Sequence, residues 1–365
     1  MADCIVIGAG IIGMLTAHEL AANGLRVTVL EKSRPAQEST WAGGGILSPL
    51  YPWRYNDAVN ALAQLSQQRY PALCQQLLDA TGIDPQCVRS GLLITDIDDE
   101  AAAERWAQRF TARLEWVAAG QARQIEPQLG ISPIRSAWLP DVGQVRNPRL
   151  AQALQAGIEQ MGVDILSDCP VQGWDIQGGR VAAVRTPQGG MSADRYVVAG
   201  GAWTGEVLAA TGLHLPIEPV RGQMLLFEGP PGLLSPITLH RGRYAIPRRD
   251  GHVLFGSTLE YTGFVKQTTD AARQDLSQAA FALIPALADL PIVKHWAGLR
   301  PGSPDGTPMV GPHPGIDNLF VNAGHFRNGV ILGLGSVHLL TDLLLQRPPA
   351  LDVGPYLPEK FVKSS

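Results

Sequence analysis

The hexapeptide Gly8-Ala9-Gly10-Ile11-Ile12-Gly13 leaves this chain few folds to choose from. It follows the apolar run "DCIVIG" (3–8), which reads as a buried strand. It opens "IIGMLTAHELAAN" (11–23), which reads as a helix stopped by Gly24. "LRVTVLE" (25–31) then reads as a second strand. Each glycine has a separate physical task. Gly8 permits a tight turn, Gly10 lets backbone approach a pyrophosphate, and Gly13 lets the helix lie close on the strand. The N-terminus of the helix supports the phosphate charge. Glu31 ends the second strand 18 residues after Gly13 (31 against 13), close to the spacing at which a carboxylate takes ribose hydroxyls. Strand, glycine turn, helix, strand and acid in that order predict a dinucleotide-binding βαβ unit.

Composition narrows the classes around this unit. The 365 residues are 45% hydrophobic and 17% charged, enough for a large core or two domains. The formal net charge of −4 gives no basic field for nucleic acid or anionic lipid. Cys4, Cys74, Cys87 and Cys169 share no metal-like spacing and read as reduced structural thiols. The apolar start has no basic leader and meets His18 and Glu19 early, so no membrane insertion and a cytoplasmic location are expected. No metal site is expected: His240, His252, His295, His313, His325 and His338 show no ligand spacing.

Further along, residues 57–80 and 99–110 carry helical periodicity, and Asn147-Pro148 reads as a helix start. From Val163 the pattern becomes short strands, and "RYVVAGGAW" (195–203) is a strand entering a second glycine turn. Residues 219–260 alternate as a sheet and 267–288 read as a helix. "NLFVNAGHFRNGVILGLGSVHLLTDLLL" (318–345) is a strand, a glycine turn and a long helix. The fold class predicted is α/β: a Rossmann-type cofactor domain in discontinuous pieces (1–85, 145–218, 305–365), with an inserted β-rich α+β substrate domain (86–144, 219–304).

Two more glycine stretches bear on the cofactor, because NAD and FAD share the opening motif. "STWAGGGILSP" (39–49) sets Ser39, Thr40 and three glycines just past the ribose carboxylate. Such a loop suits a ligand that continues beyond the pyrophosphate, though a plain surface loop has the same composition. "AGHFRNGVILG" (323–333) aims a second helix N-terminus at the place where charge develops on a reduced flavin. Arg300, in "GLRPGSPDGTPMVG", and Arg327 are candidate carboxylate clamps, with the Tyr244 hydroxyl as a helper. Taken singly, each is equally well a surface arginine or a packed tyrosine.

In this order GAGIIG, Glu31-Lys32, "STWAGGG", "RYVVAGGAW", "GLRPGSPDGTPMVG" and "GHFRNGVIL" resemble the D-amino-acid oxidase family of flavoproteins, over nearly the whole chain. The Gly-His-aromatic-Arg-Asn-Gly turn is similar to the glycine oxidase branch of that family. The resemblance implies noncovalent FAD. It places Ile11 and Ile12 at the pyrophosphate, Glu31 and Lys32 at the ribose, and the Val171 main chain at the adenine. Ser39, Thr40, Gly44, Gly45 and Ile46 would line the flavin, which would lie where side chains of residues 43–45 would be. His325, Phe326, Arg327, Asn328, Gly329, Val330 and Ile331 would wrap its ring. Arg300 and Arg327, with Tyr244, would take a substrate carboxylate, and no side-chain base is expected. The implied activity is oxidative deamination of glycine, sarcosine and small D-amino acids by hydride transfer to flavin N5. Dioxygen accepts the electrons, and glyoxylate, ammonia and hydrogen peroxide are the products. The resemblance also implies a supply of imine to thiazole synthase in thiamine biosynthesis, and a homo-oligomer. The alternatives on the same fold are a sarcosine oxidase or a D-amino-acid dehydrogenase. A flavin-dependent tRNA-tail modification domain would need a basic surface or a fused partner, and a non-catalytic dinucleotide sensor would not need converging arginines.

Overall fold

In the computed structural model, which describes residues 2–362, two large sheets both contribute to the wall of one cavity. The first sheet has six strands. In spatial order they are Met309–His313, Ile316–Ala323, Ala193–Val198, Ala2–Ile7, Val27–Leu30 and Asp164–Leu166. All pairings are parallel except that of Met309–His313 with Ile316–Ala323. Parallel strands are covered on both faces and so read as continuous apolar runs. Val6 and Val197 pack with Met14, Leu62, Tyr70 and Leu332 on one face, while Ile5, Ile7 and Val198 pack with Trp174 and Leu319 on the other.

The opening motif folds as its glycines require. Gly8 has φ +105°, open to glycine but strained for other residues. A Cβ on Gly13 would lie 1.8 Å from the Gly8 carbonyl oxygen, so only glycine lets the helix Ile11–Ala22 rest on the first strand.

The second sheet has eight strands. Its order is Ile292–Gly302, Glu218–Glu228, His252–Gly256, Arg243–Pro247, Ile237–His240, Leu92–Ile94, Arg135–Leu139 and Glu115–Ala118. Alternation sorts its side chains. Leu225, Phe227, Ala245 and Phe255 face the helix Asp270–Leu283, while Met224, Tyr244, Ile246 and Leu254 face the other way, toward Leu50 and Tyr51. The long expected helix over 267–288 is shorter than its periodicity. Thr269 caps its start, accepting from the Ala272 N–H at 3.3 Å. Ile284 leaves helical geometry because Pro285 follows, and a single 3-10 turn (Pro285–Asp289) completes the segment. The helix Asn147–Gln160 begins one residue before its proline, which frees the Asn147 side chain to donate to the Thr40 carbonyl at 3.0 Å.

A third, antiparallel sheet (Gly173–Gln177, Arg180–Thr186, Gly189–Met191) covers one face of the parallel sheet. Among the described residues no helix is long and apolar enough to cross a membrane.

Candidate cofactor and substrate site

The cavity opens at the carboxyl ends of the parallel strands, where Gly8, Glu31, Ala199 to Gly201 and Asn322 to Ala323 leave their strands. Open α/β sheets bind ligands there, because the helix N-termini point to that side. It has a volume of about 390 Å³ and runs from the Glu31 end to the face of the eight-stranded sheet that carries Tyr244 and Arg300. Of the residues singled out in the sequence, all but Gly13 line it.

At the near end, Glu31 is buried and both of its oxygens are oriented. Oε2 accepts from the Ala9 N–H at 2.8 Å and Oε1 from the Ser33 N–H at 3.0 Å. These bonds fix the carboxylate and leave further lone pairs for hydroxyl donors. Lys32 sits over the Trp203 indole, with Nζ 3.0 Å from the ring centre, and burial pushes its amine below the ordinary value. Val171 borders the cavity after Cys169 and Pro170. The Ile11 N–H donates to Thr40 Oγ1 at 2.8 Å. Thr40 thus occupies one of the free donors at the helix N-terminus and ties the second glycine loop to the first.

That second loop corrects one expectation. Ser39–Ala42 form a single helical turn that stops at Gly43, and the space beside the three glycines belongs to the protein. A Cβ on Gly43 would meet Asn147 Nδ2 at 2.6 Å, and one on Gly44 would meet Ile246 Cδ1 at 2.8 Å. Gly45 has φ +76°, and its Cβ would lie 2.1 Å from the Val145 carbonyl oxygen. The flavin therefore does not lie where the side chains of residues 43–45 would be. The glycines let the loop pass between Asn147 and the eight-stranded sheet. Arg248 fastens it there: Nη2 donates to the Gly44 carbonyl at 2.7 Å and Nη1 to Gln144 Oε1 and the Val145 carbonyl. Burial holds the Arg248 guanidinium down at about 10.

The turn at 325–331 lines the cavity. Phe326 has φ +46°, a left-handed conformation that costs a non-glycine residue about 1–2 kcal/mol and occurs where surroundings impose it. The helix Gly329–Leu344 starts directly after, so its first N–H groups face the cavity beside Val330 and Ile331. His325 is buried, with Nε2 2.9 Å from Ser336 Oγ, and Ser336 Oγ donates to the Gly333 carbonyl. The Ser336 proton being spent on that carbonyl, His325 donates from Nε2. Burial pushes its pKa down to about 3, so the ring is neutral.

At the far end two opposed glycines flatten the sheet face. Gly222 pairs with Gly298. A Cβ on Gly298 would meet the Ala42 methyl at 2.5 Å, and one on Gly222 would lie 2.1 Å from the Arg300 guanidinium nitrogens. The guanidinium of Arg300 lies across Gly222. Its Nη2 donates to Ser257 Oγ at 2.7 Å and its Nη1 to the Thr258 carbonyl at 3.2 Å. Tyr244 Oη lies 3.2 Å from the same Ser257 oxygen. Burial lowers the Arg300 pKa, and the second cation, Arg327, lowers it further. Among the described residues neither arginine has a carboxylate partner within 4 Å; Glu260 pairs with Arg221 instead. Gly222, Ser257, Arg248, Trp203 and Asn322 were not singled out in the sequence. Only Gly222 carried a signal, as a glycine inside a strand pattern.

The residues fit a long polar ligand. Asn322 is fully buried with neither amide atom hydrogen-bonded, and Asn328 Nδ2 and Asn147 Oδ1 are also buried without partners. All three residues line this cavity. Buried polar groups are nearly always bonded, so unbonded amide atoms on three residues of one cavity point to polar atoms of a ligand. Gly10 offers the approach a pyrophosphate needs: its Cβ would meet only Thr40 Oγ1, at 3.4 Å.

Comparison with known proteins agrees. The family model described as FAD dependent oxidoreductase matches residues 3–343. A glycine oxidase of Pseudomonas aeruginosa is 49% identical over 97% of this chain and 98% of its own length. The crystal structure of glycine oxidase from Geobacillus kaustophilus superposes with a TM-score of 0.93 at 28% identity, covering 100% of this chain and 99% of that one. The bifunctional protein ThiO/ThiG of Trichormus variabilis is 32% identical over 94% of this chain, which spans 53% of that larger protein.

Two outcomes follow from these contacts. Gly45→Ala should destabilise the flavin-free chain by about 1–3 kcal/mol, since the new methyl overlaps the Val145 carbonyl at positive φ; a urea unfolding midpoint unchanged from wild type would show that the loop can move aside. His325 should impose an acid limb on stability. Its folded pKa is depressed, so the unfolded chain binds the extra proton, and stability falls as pH drops from about 6.5 toward 3. His325→Asn should make that limb shallower by up to about 1.4 kcal/mol per pH unit, read from unfolding midpoints across that range.

Proposed function

The chain belongs to the family of FAD-dependent oxidoreductases, and on that premise we propose that it oxidises glycine, and with it sarcosine and small D-amino acids, to the imine. The overall change is glycine, dioxygen and water to glyoxylate, ammonia and hydrogen peroxide. The observation that carries this reading is the pair of arginines, Arg300 and Arg327, which line one cavity with no carboxylate within 4 Å of either guanidinium among the described residues. Two cations facing an enclosed space call for an anion, and the planar fork of Arg300 matches a carboxylate. The 49% identical relative, itself a glycine oxidase, supports the same substrate.

The residues divide the work along the cavity. Glu31 is placed for ribose hydroxyls, the first turn of Ile11–Ala22 beyond Ile11 for the pyrophosphate, and residues 325–331 for the ring. FAD bound there supplies the acceptor for the α-hydrogen with its bonding pair and a route for the electrons to dioxygen. Arg300 and Tyr244 anchor the carboxylate, which fixes where the α-carbon stands. The guanidiniums also disfavour a third positive charge nearby. They lower the pKa of the substrate ammonium and favour the neutral amine, whose lone pair drives loss of the α-hydrogen. The groups gathered at Arg300 (Tyr244, Ser257, Gly222) include no carboxylate or imidazole, so positioning replaces proton abstraction from carbon.

FAD is held without a covalent bond in this reading. Cys169, the cysteine that lines the cavity, sits at the Glu31 end beside Val171, and Leu299 precedes Arg300. A supply of imine to a thiazole-forming partner is consistent with the ThiO/ThiG relative, in which a homologous segment shares one chain with a second activity.

Oxygen uptake by the yellow protein with glycine, sarcosine and D-alanine tests the reading; no uptake with any of them removes it. Arg300→Met should lower kcat/KM for glycine about 30- to 5000-fold, the equivalent of roughly 2–5 kcal/mol for truncating one side of a charge pair. Arg300→Lys should recover part of this, and Tyr244→Phe should cost less, about 0.5–3 kcal/mol. Flavin absorbance should be unchanged in all three. Near-normal kcat/KM in Arg300→Met would pass the carboxylate to Arg327.

A further inference from the structure

We infer that the Ser257 hydroxyl is a positioning residue that joins Arg300 and Tyr244 into one carboxylate clamp. This rests on the proposed carboxylate substrate. Ser257 follows the strand His252–Gly256 and lines the cavity, buried at 5% exposure. Its oxygen is the one atom bonded to both groups, 2.7 Å from Arg300 Nη2 and 3.2 Å from Tyr244 Oη.

Counting protons defines what it does. Arg300 can only donate, so Ser257 Oγ accepts from Nη2. The remaining bond, between two hydroxyls, can run either way. If Tyr244 donates to Ser257, its proton is spent and the phenol offers a carboxylate only lone pairs. If Ser257 donates to Tyr244, the phenol proton is free to meet the carboxylate. An arriving anion selects the second arrangement. The chain of donors then runs from Arg300 to Ser257, from Ser257 to Tyr244, and from Tyr244 to the substrate, with each bond polarising the next. The cation thus acts on the carboxylate twice, directly and through the two hydroxyls.

The partners of Arg300 suit this role. A carboxylate beside it would fix the fork equally well but would cancel the charge the substrate needs. Ser257 Oγ and the Thr258 carbonyl hold the fork while carrying no charge. The nearby acid is kept out of reach: Glu260 is bound by Arg221, Thr258 and Gln223. Gly222 completes the arrangement, because any side chain there would lift the guanidinium off the sheet and away from Ser257.

The test uses the holoenzyme with two readouts: steady-state kinetics with glycine, and titration with acetate, a carboxylate without an oxidisable amine, followed by the flavin absorbance change. Ser257→Ala should raise both the acetate Kd and the glycine KM about 5- to 30-fold, the effect of weakening one hydrogen bond to a charged group. Because the clamp also fixes where the α-carbon stands, kcat at saturating glycine should fall as well. Ser257→Thr should restore binding to near the wild-type value. Ser257→Cys, of similar volume but a poor hydrogen bonder, should behave like Ser257→Ala, which separates the bond from the packing and covers the case in which Ser257→Ala fails to fold. In a Tyr244→Phe background, Ser257→Ala should cost less than in wild type. Wild-type acetate affinity in both Ser257→Ala and Ser257→Cys, or an equal loss with and without Tyr244, overturns the inference and leaves the carboxylate reading standing. Wild-type holoenzyme that shows no acetate response and no glycine turnover overturns both.

Discussion

A guanidinium held in place by uncharged oxygens is the constraint on which the far half of this cavity is built. Arg300 needs a flat surface, partners that do not neutralise it, and distance from acids. Strand alternation provides the flat surface and turns the acid away, and the segment after the strand His252–Gly256 provides the partners. Gly222 and Gly298 face each other on one side of the sheet and leave the surface bare, so Arg300 lies across one and Ala42 packs on the other. Arg221, one residue away, points to the opposite face and binds Glu260 there. Glu260 is thereby spent on a different arginine. A charge kept unpaired in a buried place is costly to the free protein, and that cost is recovered when an anion arrives.

Residues with a single local task were legible in the sequence. Gly8 and Gly13 answer to the geometry of one turn and one helix–strand contact, and Glu31 to the length of one helix and one strand, so spacing was enough to place them. The order of glycine turns likewise carried the parallel sheet and its cavity. What escaped is set by contacts between segments far apart in the chain. Ser257 matters because Arg300 and Tyr244 come to it from other strands. Arg248 matters because Gly44 is 204 residues away. Asn322 is an ordinary strand residue until its buried, unbonded amide is found in the cavity lining. No local pattern distinguishes such residues. The three glycines at 43–45 were the instructive error. Their need for space was plain, but a sequence cannot say whether ligand or protein fills it.

What fills it is protein, Asn147 and the Val145 carbonyl beside Gly43 and Gly45 and Ile246 of the eight-stranded sheet beside Gly44, and this links cofactor placement to substrate placement. The segment 39–45 is bonded on both sides. Thr40 takes the Ile11 N–H of the dinucleotide helix. From the other side Asn147 holds the Thr40 carbonyl, Trp296 donates to the Ala42 carbonyl at 3.2 Å, and Arg248 donates to the Gly44 carbonyl. Trp296 lies on the same strand as Arg300, separated from it by Gly298, on which Ala42 rests. One short loop therefore spans from the helix that faces the pyrophosphate to the strand that carries the carboxylate clamp.

Reactions that depend on orientation rather than on an acid or base need two bound partners registered to a few tenths of an ångström. Separate domains joined by flexible linkers would not supply that register. Here the registration runs through backbone carbonyls, whose positions do not depend on side-chain rotamers. Glycine at 43–45 keeps the backbone close enough to the sheet for Arg248 and Trp296 to reach it. These glycines set the distance between the cofactor's binding elements and the substrate's.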